Sequence, residues 1–155
     1  RMEMRHAVAG ALSWDCPHAW LENWKIPPEI MKEHSINPRA PQLHTGVLLF
    51  DLVKWRAENL TASVVHWLQR LGMVEGEMMA MNIALQDDVD ILDWSWNNFR
   101  MCVFKTRAPT WSIVESKVFH WAGNVKPWHA EVARDYPYAC HFDLFEPFVP
   151  KRCSA

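Results

Sequence analysis

The sequence predicts an α/β domain, a mixed sheet flanked by helices. Three apolar runs of strand length recur, "AVAGAL", "GVLLF" and "DVDIL", and two stretches between the second and third carry helical rather than alternating periodicity. A chain of 155 residues is long enough to bury one real core. With 50% apolar and 22% charged residues it does not read as disordered.

The small-residue run Ala7 to Leu12 reads as a buried strand ending toward Asp15. Residues 16–42 hold five prolines and no sustained period, so they read as a loop with one short helix near Glu29 to His34. "HTGVLLFDL" is a compact strand entered through Gly46, and "VKWRAENLT" turns the chain toward a helix. Thr61 suits the N-cap of Ala62 to Leu71, where Val64, Leu68 and Leu71 share one face and Gly72 supplies the stop. A second helix from Glu77 to Leu85 is Met-rich all round and therefore buried. "DVDIL" returns as a strand. Residues 93–109 mix turn chemistry with one short strand, "MCVF". "SIVESKVFHWAG" is rich enough in β-branched and aromatic residues for a strand or hairpin that breaks at Gly123. The tail, with Pro137, Pro147 and Pro150, reads as extended.

Composition excludes several classes of function. Sixteen basic against 18 acidic residues, with no basic run longer than a pair, argue against a nucleic-acid partner. No apolar run approaches the roughly 18 residues of a membrane span. Cys16, Cys102, Cys140 and Cys153 form no C-x-x-C pair, which argues against a zinc ribbon or redox motif and favours free or buried thiols. The triplet Asn59-Leu60-Thr61 is a glycosylation sequon and tilts the compartment toward the secretory lumen, the Golgi included, over the cytoplasm. Ten tryptophans are core or rim residues first and a sugar-stacking platform second.

Chemistry gathers in "HWAGNVKPW". Gly123 lets a backbone N–H approach an anion, Lys126 delivers a point charge suited to phosphate, and Pro127 biases Lys126 toward an extended backbone. His120 offers a nitrogen to a divalent cation such as Mn²⁺. The plainer alternative is a satisfied core histidine on a strand.

This segment resembles the H-x-x-G-x-x-K-P-W signature of glycosyltransferase family 8, the retaining nucleotide-sugar transferases that include glycogenin-like and galactinol-synthase-like enzymes. The resemblance implies that His120 completes a Mn²⁺ site and that Gly123 and Lys126 hold the donor's diphosphate. "LHTGVLLFDLVKWRAENLT" is similar to the family's F-N-x-G-[VL]-[ML]-[LI]-[IFN]-[DN]-L-x-x-W-R segment, and "GEMMAMNIALQDDVDILDWSWN" to its G-D-Q-x-x-L-N helix, strand and W-N turn. His44, Thr45, Gly46 and Glu77 then face the donor sugar, with Glu77 orienting it and His44 contacting it in a catalytic role.

Four departures bear on activity. His44 stands where the family has Asn, Glu77 where it has Asp, and Met78 where it has Gln. The family's D-x-D, which supplies two carboxylates to the metal, has no counterpart in order; Asp88-Val89-Asp90 follows the helix instead of preceding the first segment. On this resemblance residues 1–155 form a single partial domain, the C-terminal half to two-thirds of a GT-A-type nucleotide-diphospho-sugar transferase fold. The N-terminal nucleotide-binding half with the D-x-D is expected upstream of Arg1 or on another chain. The implied reaction transfers a hexose from a nucleotide-diphosphate sugar to a hydroxyl acceptor with retention, and this chain by itself is expected to be inactive. The alternative is a non-catalytic subunit or scaffold of the same family in a larger assembly.

Overall fold

The computed structural model describes residues 3–13, 21, 26–71, 76–99, 110–122, 126 and 144. They fall into two compact units, the first ending at Trp94 and the second beginning at Ser95.

The first unit is built on a three-stranded mixed sheet. Strands β1 (Val8–Leu12), β2 (Leu43–Phe50) and β3 (Val89–Leu92) lie in the order β2-β1-β3. β1 pairs antiparallel with β2, Val8 opposite Phe50 and Gly10 opposite Leu48, with a register shift before Leu12 meets Leu43. It pairs parallel with β3, Val8 opposite Val89. The small residues of β1 follow from its central place: Val8, Ala9 and Ala11 are fully buried. A Cβ on Gly10 would stand 2.7 Å from Leu48 Cδ2 and 3.2 Å from Leu43 Cδ1, so only glycine fits between them without repacking. Asp90 ties the entry to β1 onto β3, its carboxylate accepting from the His6 amide at 2.9 Å and from Arg5 Nε at 3.3 Å.

Helices α1 (Pro28–Glu33), α2 (Leu52–Ala57), α3 (Leu60–Leu71) and α4 (Gly76–Leu85) complete this unit. α3 turns Leu60, Val64 and Trp67 inward, a helical stripe at spacings of four and three. Val64 and Trp67 pack with Met79, Ala80 and Ile83 of α4 and with Leu21, Ile26, Ile36 and Ala40. A second cluster joins Leu60 and Leu85 to Ala7 and to Val8, Leu43 and Val89 of the sheet. Methionines in α4 fill this contact because their flexible thioethers suit a helix buried on more than one side.

Three local expectations change. Residues 52–57, which span the end of the expected strand and the first part of the turn read over residues 53–61, are helical because Asp51 caps them, its Oδ1 accepting from Val53 N at 3.0 Å and Lys54 N at 3.1 Å. Gly46 lies inside β2 rather than at its entrance. Thr61 is not the cap of α3. Asn59, with φ of 52°, precedes the helix, its carbonyl accepting from Ala62 N and Ser63 N, while the Thr61 hydroxyl accepts from Trp55 Nε1 at 2.8 Å.

The second unit holds most of the 3-10 helix Trp94–Asn97, helix α5 (Thr110–Glu115) and an isolated parallel bridge between Asn98 and Phe119. The strand or hairpin expected over "SIVESKVFHWAG" is corrected: its first part is the end of α5 and only Phe119 bridges. The β-branched run misleads because Val114 stays 78% exposed and Ser112 is the buried residue, its carbonyl taking the Ser116 hydroxyl at 2.6 Å. Residues 101–104, Asp15, the four cysteines and the tail apart from Leu144 lie outside the described residues. Among the described residues no helix is long and apolar enough to cross a membrane.

Candidate functional site

In the first unit, β2 carries the run His44-Thr45-Gly46. His44 and Thr45 are half-buried and Gly46 is exposed. The Gly46 amide donates to His44 Nδ1 at 3.2 Å, so the histidine ring is held against its own strand. Glu77 is exposed in the first turn of α4, where a carboxylate is favoured by the helix dipole.

What joins these two segments is a residue that the sequence did not single out. Asn82, 2% exposed on α4, takes both backbone groups of Leu43: its Oδ1 accepts from Leu43 N at 2.6 Å and its Nδ2 donates to Leu43 O at 2.9 Å. The same Nδ2 donates to Met78 O at 2.8 Å. One side-chain amide thus serves as a neighbouring strand for the residue before His44 and ties it to the turn of helix after Glu77. The available signal was its position closing "GEMMAMN", a buried amide in an otherwise apolar helix.

In the second unit the candidate residues sit on a segment fixed by asparagines. His120 N donates to Asn98 O at 2.9 Å and Asn98 N donates to Val118 O at 3.0 Å, the two bonds of the isolated bridge. Asn98 Nδ2 donates to Ser112 O at 3.1 Å and Ser116 Oγ at 2.7 Å. His120 Nδ1 lies 2.9 Å from Asn97 Oδ1, and with the amide oxygen as acceptor the ring donates from Nδ1. Burial, and next the Lys126 charge, hold the His120 pKa below its ordinary value, so the ring is neutral at pH 7. Lys126 Nζ donates to Trp121 O at 2.6 Å, which aims the cation along the same segment. Gly123 lies outside the described residues. Nearby in sequence, Trp96 is exposed with Lys117 Nζ 4.9 Å from its ring centroid, so a cation lies over that ring.

The model for glycosyl transferase family 8 matches residues 14–132. The chain belongs to that family. Relatives in the family include the probable galacturonosyltransferase-like 8 of Arabidopsis thaliana, 29% identical over 112 residues, which are 68% of this chain and 28% of that protein. The general stress protein A of Bacillus subtilis (strain 168) is 22% identical over 121 residues, 70% of this chain and 42% of that protein. The chain therefore spans well under half the length of these relatives. Among solved structures, the galactosyltransferase LgtC in complex with donor and acceptor sugar analogs matches with a TM-score of 0.57 at 16% identity, covering 92% of this chain and 50% of that one. The bifunctional glycosyltransferase WbbM matches with a TM-score of 0.56 at 18% identity, covering 79% of this chain and 25% of that one. The fold is accordingly that of the GT-A glycosyltransferases.

The family resemblance implies Mn²⁺, and the donor set can be weighed against it. Among the described residues no group of three or more His, Cys, Asp and Glu side chains could hold a metal ion. His120 is one neutral nitrogen donor and brings no negative charge, so the described residues do not by themselves make a Mn²⁺ site.

Proposed function

We propose that this family 8 chain forms the diphosphate-facing C-terminal part of a domain that transfers a hexose from a nucleotide-diphosphate sugar to a hydroxyl acceptor, with retention at the anomeric carbon. The observation that carries the proposal is the seating of Lys126 on the Trp121 carbonyl, one residue beyond a neutral His120 paired with Asn97. A cation held in place before the reaction stabilises charge as it develops on the departing diphosphate, which is the largest charge change in such a transfer. The neutral ring of His120 adds a polar contact there without opposing that charge. Gly123, three residues on, is proposed to bring its backbone N–H to the diphosphate.

On the sugar side, His44, Thr45 and Gly46 are proposed to face the donor hexose and Glu77 to orient it. The support is that Asn82 fixes Leu43, next to His44, to the same helix that presents Glu77. Relatives named for galacturonosyl and galactosyl groups favour a hexose-type donor and leave the individual sugar open. A catalytically silent subunit is the second reading, and Met78 favours it: a thioether replaces the amide that the family signature places beside the acidic residue.

The test is nucleoside-diphosphate release from a panel of nucleotide-diphosphate sugars, with the anomeric configuration of the product read by NMR. The gene product that carries this chain is expected to turn over one donor with retention, and Lys126→Ala to lower kcat/KM by about 10-fold or more, the usual scale for a lost charge-assisted contact. Absence of turnover with diphosphate binding intact would favour the silent subunit.

A further inference from the structure

We infer that Asn59 is an N-glycosylation site, and that it accepts an oligosaccharide in a chain that enters the secretory lumen. Asn59-Leu60-Thr61 is the one such triplet in the sequence. The proposal is independent of sugar transfer by this chain, since here the chain is the acceptor.

The structure gives the triplet the context that such a site needs. Asn59 is exposed in the tight connection between α2 and α3, with φ of 52°, a left-handed conformation that asparagine adopts more readily than other side-chain-bearing residues. Its backbone does the structural work: Asn59 N donates to Arg56 O at 3.2 Å, and its carbonyl accepts from Ala62 N at 3.1 Å and Ser63 N at 3.4 Å. Its side-chain amide makes no hydrogen bond among the described residues, so a sugar on Nδ2 displaces nothing that holds the fold. Leu60, 8% exposed, points the middle of the triplet into the core, while Asn59 and Thr61 on either side stay exposed.

The order of events also follows from the geometry. In the finished fold Thr61 lies in the first turn of α3 and its hydroxyl accepts from Trp55 Nε1 at 2.8 Å. The hydroxyl that a glycosylating enzyme must read is then engaged and its backbone is helical, so the sugar is added before α3 forms. In that step Asn59 Nδ2 forms a bond to C1 of a lipid-linked diphospho-oligosaccharide. The bond from C1 to the diphosphate oxygen breaks, the lipid diphosphate leaves with the electron pair, and the amide proton passes to a base of the transferring enzyme.

A glycan there would lie next to exposed apolar surface. The Trp55 indole that bonds Thr61 also meets Phe50 edge-on at 5.2 Å, and Phe50, Leu52 and Val53 are all exposed. The experiment is expression of the chain behind a cleavable signal sequence in cultured mammalian cells, followed by treatment with a peptide N-glycosidase and peptide mass mapping. The expected result is one glycosidase-sensitive shift mapped to Asn59, lost in Asn59→Gln and in Thr61→Val and kept in Thr61→Ser. Secreted or lumenal chain without the shift, beside a reporter that is glycosylated in the same cells, would overturn the inference. So would a shift that survives Asn59→Gln.

Discussion

The two units hold their candidate residues by different means. In the first, His44 stands on β2, whose backbone is already paired along β1, and Asn82 adds a clamp at the strand's start. In the second, His120 stands on a segment with one isolated bridge, and side chains supply the remaining order: Asn98 to Ser112 and Ser116, Asn97 to the ring itself. A ladder shares load over many backbone bonds, whereas a side-chain clamp concentrates it in one residue. The first arrangement resists local change until the sheet fails. The second lets one substitution move a candidate residue while the rest of the chain stays folded.

The largest effect is expected at Asn82. Asn82→Leu keeps the volume but strands the N–H and C=O of Leu43 in a buried place, and each buried unsatisfied group costs about 1–3 kcal/mol. Urea unfolding should show a loss of about 2–5 kcal/mol, the combined scale of two such groups. A loss below about 1 kcal/mol would mean that the β1 ladder alone fixes the start of β2 and that the Asn82 clamp adds little to it.

Asn98→Ala should do less overall and more locally. It removes the two Nδ2 bonds to Ser112 O and Ser116 Oγ, on the order of 1–3 kcal/mol of local order. Hydrogen exchange should quicken at the amides of Asn98 and His120 and stay unchanged at those of β1 and β3. Uniform acceleration across both units would break the comparison.

Acid should separate the units with the smallest effect and the clearest sign. His120 has its pKa lowered by burial and by Lys126, so the folded segment binds its proton later than the unfolded chain does. Its contribution to stability is present above the ordinary value of 6.5 and fades as pH falls from there through the folded value. For Asp90, burial raises the pKa, but the His6 amide, the Arg5 side chain and the Arg5 amide outweigh it and the net shift is downward. That contribution persists until pH falls below the ordinary value of 3.8. Protection at the His120 amide, measured against the intrinsic exchange rate, should therefore fall as pH drops below the ordinary 6.5 while β3 stays protected, and Asp90→Asn should remove the acid dependence of β3 alone. Simultaneous opening of both regions would count against the assignment.

These contrasts also explain what the sequence disclosed. β1, β2, α3, α4 and β3 were legible because each buries a face, and burial writes a period into the apolar residues. α2 was missed because its stabilising element is a cap, Asp51, which follows an apolar run directly and so reads as the end of that strand. α5 was missed because Ile113 and Val114 favour strands on composition while Ser112 makes the buried contacts. The three family segments were legible as motifs, which located His44, Glu77, His120 and Lys126. Asn82 and Asn97 stand in those motifs, closing the helix signature and the W-N turn, and Asn98 does not; what the sequence left unread is their contacts, because a buried asparagine's partners lie far away in the chain: 39 residues for Asn82 with Leu43 and 23 for Asn97 with His120.

The most direct test of the central claim is calorimetric titration of the chain-bearing gene product with a nucleoside diphosphate, with and without Mn²⁺. Unmutated protein is expected to bind, and Lys126→Ala to weaken binding by about 1–3 kcal/mol, the cost of one charge-assisted contact. His120→Ala is expected to weaken binding less than Lys126→Ala, since a neutral ring offers a polar contact and no charge. Equal affinity for the unmutated and Lys126→Ala proteins, or no binding by either, would contradict a diphosphate site on the segment from His120 to Lys126.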